Sequence, residues 1–241
     1  MERWYASSGQ RFSVRKYSAP PPKEDINSLA ETAEMLKVGN MRIEIASGGK
    51  VFSPLFLGFG KVRGTDWFAA FIGDDGEPIS VGYLGETFIL ECTALGLGTC
   101  WLGTFHKQRV SELLNLKGNE RVVCITPLGI SDEPYAARPR KSLSTLTGLD
   151  EKELSALPDW QQRALECARI APSAINAQPY ELIIEDEKIC VKRISSNFGY
   201  GDLDCGIAML HIELGAAHAG VSGKWDMGED CVKFVPVAFD R

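Results

Sequence analysis

The chain has 241 residues, 44% of them hydrophobic and 24% charged, which excludes wholesale disorder, a collagen-like repeat and a disulfide-stapled miniprotein. Lys and Arg number 26 against 32 Asp and Glu, a net charge of −6, so general affinity for nucleic acid or an anionic membrane is disfavoured, while a local basic cluster can still hold one small anion. At this length the chain can bury one large core or two modest ones.

Seven cysteines (92, 100, 124, 167, 190, 205 and 231) lie in apolar segments without a CxxC pair. They read as reduced, buried thiols of a cytoplasmic protein, with no metal site. The first 17 residues carry no apolar run of signal-peptide length. The apolar stretches 83–103 and 205–221 are interrupted by Glu91 and by His211, Glu213 and His218, so neither reads as a membrane span.

In chain order, Pro20-Pro21-Pro22 leads into 23–37, where Ile26, Leu29, Ala30, Ala33 and Leu36 predict a one-faced helix. Strands are expected at 42–46 and 67–73, then a turn at Asp74-Asp75-Gly76. A helix at about 82–97 follows, apolar nearly all round (Leu84, Phe88, Ile89, Leu90, Cys92, Leu95) and stopped by Gly96-Leu97-Gly98. A helix at 107–115 and a strand at 122–130 complete this part. The polar, basic stretch 131–154 is the expected linker. Beyond it lie a helix at 159–170, a hairpin of 180–185 with 188–193, an apolar helix at 204–219 ending at Gly220, and a strand at 232–239.

The two parts share an order of elements. A shift of 124 places Ala94-Leu95-Gly96 on His218-Ala219-Gly220, Trp101 on Trp225 and Gly82 on Gly206. That self-similarity suggests duplication followed by divergence, with residues 1–150 as a first half and 151–241 as a second, abbreviated one. Two unrelated α/β segments, each with a glycine-capped helix, are the competing reading.

Three segments can carry chemistry. In Arg11-Phe12-Ser13-Val14-Arg15 an extended backbone puts Arg11, Ser13 and Arg15 on one side, two guanidiniums flanking a hydroxyl as a phosphate dianion requires. Taken bare, such a pattern more often marks a solvated arm. Arg138-Pro139-Arg140-Lys141 is a second basic cluster, on its own better read as linker. In 171–180 (APSAINAQPY) two prolines frame Ser173, Asn176 and Gln178, polar groups suited either to a planar heterocycle or to satisfying their own backbone. The loop after Gly96 follows a helix and lacks the third glycine of a dinucleotide fingerprint, and Gly58-Phe59-Gly60 fails likewise. Walker A, GxSxG and HExxH motifs are absent from the sequence. Cys100 reads as packing beside Trp101, His211 and His218 as structural, and Asp202 and Asp204 as acids at a helix N-terminus.

Together RFSVRKY, GLGTCWLGTF, VVCITPLGISDEPYAARPRK and PSAINAQPY resemble the FMN-dependent nitroreductase/flavin reductase superfamily, in particular its fused, "putative TM nitroreductase" branch. The resemblance implies an α+β fold of mixed and antiparallel sheets flanked by helices. It also implies two fused half-copies mimicking the family homodimer, a monomer with an internal pseudo-twofold and one FMN per chain between its halves. Carried over by position, Arg11, Ser13 and Arg15 match the phosphate arm, and Arg138, Arg140 and Lys141 match the basic tail. Trp101, Leu102 and Gly103 match the loop lying against the isoalloxazine, and Pro172, Ser173, Ala174, Asn176 and Gln178 match the turn contributed by the opposing half. Ala174 stands where the family usually has Ser or Gly. The implied activity is NAD(P)H-dependent reduction of a small acceptor such as a nitroaromatic or quinone, with no protein acid or base required. A flavin-binding protein without turnover is the alternative.

Overall fold

The computed structural model describes residues 1–52, 61–74, 78–114, 116, 118–228 and 230–237. Gly58-Phe59-Gly60, and Asp75 and Gly76 of the expected turn, lie outside them. In chain order the elements are α1 (Glu2–Ser8), β1 (Tyr17–Ala19), α2 (Lys23–Met35), β2 (Arg42–Ser47), β3 (Trp67–Gly73), α3 (Pro78–Ala94), α4 (Lys107–Leu113), β4 (Arg121–Pro127) and β5 (Ile130–Ser131). They continue with α5 (Leu143–Thr147), α6 (Glu151–Ala156), α7 (Asp159–Ile170), β6 (Tyr180–Glu185), β7 (Lys188–Arg193), α8 (Gly201–His218), β8 (Gly223–Met227) and β9 (Val232–Pro236). The fold class is α+β with antiparallel sheets, as expected.

The chain divides into two compact units, 10–137 and 138–241 with 1–9. In the first, β2, β3 and β4 form an antiparallel sheet in that order. The central strand β3 is buried from Phe68 to Gly73, which explains its unbroken apolar run. On α3, Val81, Phe88, Ile89, Leu90 and Cys92 are buried together with Glu86 and Glu91. The expected strand at 122–130 is split: β4 ends at Pro127, and β5 turns away to pair with β1.

The second unit carries a four-stranded antiparallel sheet of order β6-β7-β9-β8 and the packed pair α7 and α8. Gly215 sits where these helices meet: a Cβ there would lie 2.5 Å from Arg163 O and 2.6 Å from Ala164 Cα. The first nine residues also belong to this unit. Tyr5 of α1 stacks on His218 with ring centroids 3.9 Å apart, and His218 Nδ1 lies 2.9 Å from the Glu2 carboxylate.

Both core helices end in the same way. Gly96 and Gly220 adopt φ 78° and 79°. Leu97 N–H donates to Cys92 O and Gly96 N–H to Thr93 O, while Val221 N–H donates to Ala216 O and Gly220 N–H to Ala217 O, all at 2.9 Å. This paired bonding around a left-handed glycine satisfies carbonyls that the last helical turn would otherwise leave open.

Three expectations are corrected. The boundary expected at 150 falls at 137/138, and residues 1–9 join the second unit. The expected linker 131–154 contains α5 and the start of α6, because Ser142 caps α5 and Asp150 with Glu153 forms a capping box on α6. Among the cysteines, Cys190 and Cys231 form a disulfide, with Cα atoms 6.0 Å apart, because Cys231 leads into β9 beside β7. The other five are buried and free. Among the described residues, no helix is long and apolar enough to cross a membrane.

Candidate functional site

The arm Arg11–Arg15 is anchored by its middle. Val14 is 1% exposed, its N–H donates to Thr99 O at 2.8 Å, and Ser13 bridges Thr99. Alternation leaves Arg11, Ser13 and Arg15 on the other side. Arg11 Nε lies 3.7 Å from the buried Glu86 carboxylate. Arg11 Nη1, Arg15 Nε and Thr99 Oγ1 are all buried without a hydrogen-bond partner. Uncompensated buried donors are expensive, and here one nitrogen of each arm guanidinium and a hydroxyl on the segment bridged to the arm lack partners. That set matches the oxygens of a phosphate, which accept bonds and carry negative charge. A carboxylate already sits against the arm's backbone: Glu133 Oε2 accepts from Arg15 N–H at 2.6 Å and Lys16 N–H at 3.0 Å. Burial raises the Glu133 pKa, but these amides and the nearby cations outweigh it and hold the carboxyl below its ordinary value.

In the loop, Trp101 and Leu102 are held by their own unit. The indole packs against Phe71 with centroids 4.5 Å apart and donates to Glu86 Oε2 at 2.7 Å. Gly85 makes room for it, since a Cβ there would lie 2.6 Å from Trp101 Cη2. Leu102 is 3% exposed, and its backbone pairs with Ile125. The Leu102 side chain therefore belongs to the core.

The turn after α7 holds three non-glycine residues at positive φ: Ile175 (49°), Asn176 (61°) and Gln178 (45°). Such conformations cost on the order of 1–3 kcal/mol each and persist only when the surroundings enforce them. Ser173 Oγ accepts from Gln178 N–H at 2.8 Å. The buried Gln178 side chain donates to Arg169 O at 2.9 Å and accepts from Lys141 N–H at 2.8 Å. Lys141 Nζ donates to Gln178 O at 2.8 Å. Arg140 donates to Ile170 O and Asn176 Oδ1, and Asn176 Nδ2 donates to Pro139 O. The second basic cluster thus meets the turn within one unit, and two of its three cations are spent there; Arg138 is exposed.

Asp204 lies in the first turn of α8, as expected, and is 1% exposed behind the same turn. It accepts from Ala174 N–H at 2.9 Å and from Asn197 Nδ2 at 2.7 Å, while Asn197 Nδ2 also donates to Ala174 O at 3.0 Å. Burial pushes the Asp204 carboxyl up to about 6, against the pull of these donors. Asp202 pairs with Arg193 at 3.0 Å. His211 is fully buried, with Nδ1 3.0 Å from Cys167 O.

Sequence reasoning missed Glu86, Thr99, Glu133 and Asn197 as members of these clusters. Glu86 alone left a signal, as one of two carboxylates, with Glu91, inside a largely apolar helix.

The family model described as "Putative TM nitroreductase" matches residues 5–216. No curated protein matches the chain. A structure described as a putative nitroreductase from Thermotoga maritima superposes with a TM-score of 0.68 at 20% identity, covering 96% of this chain and 93% of that one. A hypothetical oxidoreductase from Bacillus subtilis gives 0.50 at 17% identity, covering 65% and 78% of the two chains. A nitroreductase family protein from Streptococcus pneumoniae gives 0.50 at 12%, covering 61% and 98%. These likenesses establish the nitroreductase fold, and the match across most of its length shows that the chain belongs to the putative TM nitroreductase family.

Proposed function

We propose that the protein is an FMN-dependent oxidoreductase that draws electrons from NADH or NADPH and reduces a small acceptor such as a nitroaromatic or quinone. The observation that carries this reading is the set of unpartnered buried groups on the arm, Arg11 Nη1, Arg15 Nε and Thr99 Oγ1. Among the described residues nothing in the first unit's own packing uses them, and a flavin phosphate would satisfy all three. In this reading Arg11, Ser13, Arg15 and Thr99 hold the phosphate. By the resemblance, the backbone around Trp101–Gly103 and the turn at Pro172–Gln178 are each assigned to the flavin ring, with one FMN per chain.

When bound, FMN would supply the hydride- and electron-transfer chemistry between the nicotinamide and the acceptor. The protein's residues bind and orient. The carboxylate of Glu86 restrains Arg11 through Nε and Trp101 through its indole N–H, fixing arm and loop to one point on α3. Arg140, Lys141 and Ser173 maintain the turn's left-handed backbone. No side chain here is assigned a proton-transfer role.

The test is direct. Purified protein reconstituted with FMN should be yellow, retain one flavin per chain after gel filtration, and bleach anaerobically on addition of NADH or NADPH. Yellow protein that does not bleach would support the binding-only alternative. Protein that stays colourless in excess FMN would overturn the reading.

A further inference from the structure

Two loops of the second unit that stand apart in sequence are joined at a single buried carboxylate. The turn at 173–178 and the segment 195–199 each contain strained residues, Ile175, Asn176 and Gln178 in one and Asn197 (φ 43°) and Phe198 (φ 58°) in the other. Ile175 and Phe198 are 55% and 79% exposed, so burial of their own side chains does not enforce these conformations. What lies between the loops is Asp204. One carboxylate oxygen takes the Ala174 N–H and the other takes Asn197 Nδ2, and the same amide nitrogen reaches Ala174 O. The triangle closes on the residue at the start of the strained turn.

We propose that Asp204 is a positioning residue for the cofactor-binding turn: as the anion it holds Ala174 and Asn197 together and keeps 173–178 in its ligand-ready form, and taking up a proton loosens that hold. The inference rests on the flavin reading above for what the turn binds, but not for the latch itself. An ionised carboxylate offers acceptors on both oxygens, whereas a protonated one turns one oxygen into a donor, which cannot face the Asn197 amide N–H. The carboxyl, raised to about 6 by burial, makes this change near neutrality. The ionisable groups around it are few. Tyr180 on β6, its own pKa raised chiefly by burial, feels both Asp204 and Arg140. Cys205 beside it on α8 is likewise raised by burial. Asp202 on the same helix is paired with Arg193 of β7.

Two readouts test this without relying on turnover. The first is the amide resonance of Ala174 in flavin-free protein, followed from pH 8 to pH 4.5. It should shift with a midpoint near 6 in the wild type and stay flat in Asp204→Asn. The second is riboflavin affinity, chosen because riboflavin lacks the phosphate, whose own titration would confuse a measurement with FMN. The wild-type dissociation constant should rise about fivefold to tenfold on acidification, the loss of roughly one hydrogen bond, and Asp204→Asn should be weak and pH-independent. An Ala174 resonance that does not move would overturn the proposal, and the wild type alone suffices for that result. An Ala174 shift without any change in riboflavin affinity would also overturn it, since the latch would then not serve binding. Failure of both riboflavin and FMN to bind at any pH would strike the flavin reading instead, leaving the latch to be judged on the resonance.

Discussion

The two units share several local features and differ in what they do with their cations. Each has an antiparallel sheet beside an apolar core helix. Each helix stops at a left-handed glycine, and the chain shortly beyond it carries a tryptophan that donates to a glutamate on that helix: Trp101, in a loop, to Glu86 at 2.7 Å and Trp225, on β8, to Glu213 at 2.9 Å. Within that shared frame, the first unit leaves Arg11 Nη1 and Arg15 Nε buried and unsatisfied, whereas the second commits Arg140 and Lys141 to its own turn. Two basic clusters that look alike in sequence therefore differ in the structure: one leaves buried guanidinium nitrogens without partners, the group proposed above as an anion seat, and the other is a closed clamp. Net charge and motif cannot separate these roles; the partners can.

The clamp gives the largest effect. Arg140→Ala removes hydrogen bonds from a charged group to Ile170 O and Asn176 Oδ1 and leaves both acceptors without that donor, so it should lower unfolding stability by about 3–4 kcal/mol, read from urea melts. A loss under 0.5 kcal/mol would make Arg140 another open cation and erase the contrast between units.

Next come two carboxylates whose shifts are opposite in sign. Asp204 titrates at about 6, above its ordinary 3.8. The native state therefore binds the proton more tightly, and the stability this gives is fully present below pH 3.8 and lost as pH rises through 6. The change is about 3 kcal/mol, order of magnitude, from the size of the shift. Glu133 is held below its ordinary 4.5, so its contribution is present above that value and disappears as the pH falls through its lowered pKa. Melts of Asp204→Asn and Glu133→Gln against wild type from pH 3 to pH 8 should diverge with opposite slopes. Parallel curves would remove this distinction between the units.

The smallest effect concerns the stretch that joins them in sequence. Asp150→Ala breaks the capping box of α6 and should cost about 1 kcal/mol, seen as faster amide exchange in 151–156. Unchanged exchange would return the segment to the flexible linker it was expected to be.

Much of this was legible from sequence. Helix α7 and the β6–β7 hairpin fall where periodicity and turn residues place them, because their patterns are local and bounded by Pro and Asp-Glu signals. The arm's alternation was legible too, with Val14 inward. What escaped depends on partners far along the chain. The hydrogen bonds of Lys141 to Gln178 and of Asn197 to Ala174 span 37 and 23 residues. The Cys190–Cys231 bond spans 41, and nothing about an isolated cysteine reveals such a neighbour. Asp204 looked like an ordinary helix-start acid because its burial comes from the turn packed over it.

The measurement that tests the central claim most directly is an FMN titration of Arg15→Ala beside wild type, followed by flavin fluorescence, with thermal melts of both flavin-free proteins. An open anion seat predicts that FMN binding weakens by about 1.5–3 kcal/mol, roughly tenfold to 150-fold, while the melting temperature does not fall. Unchanged FMN affinity, or a loss of affinity matched by a loss of stability, would contradict it.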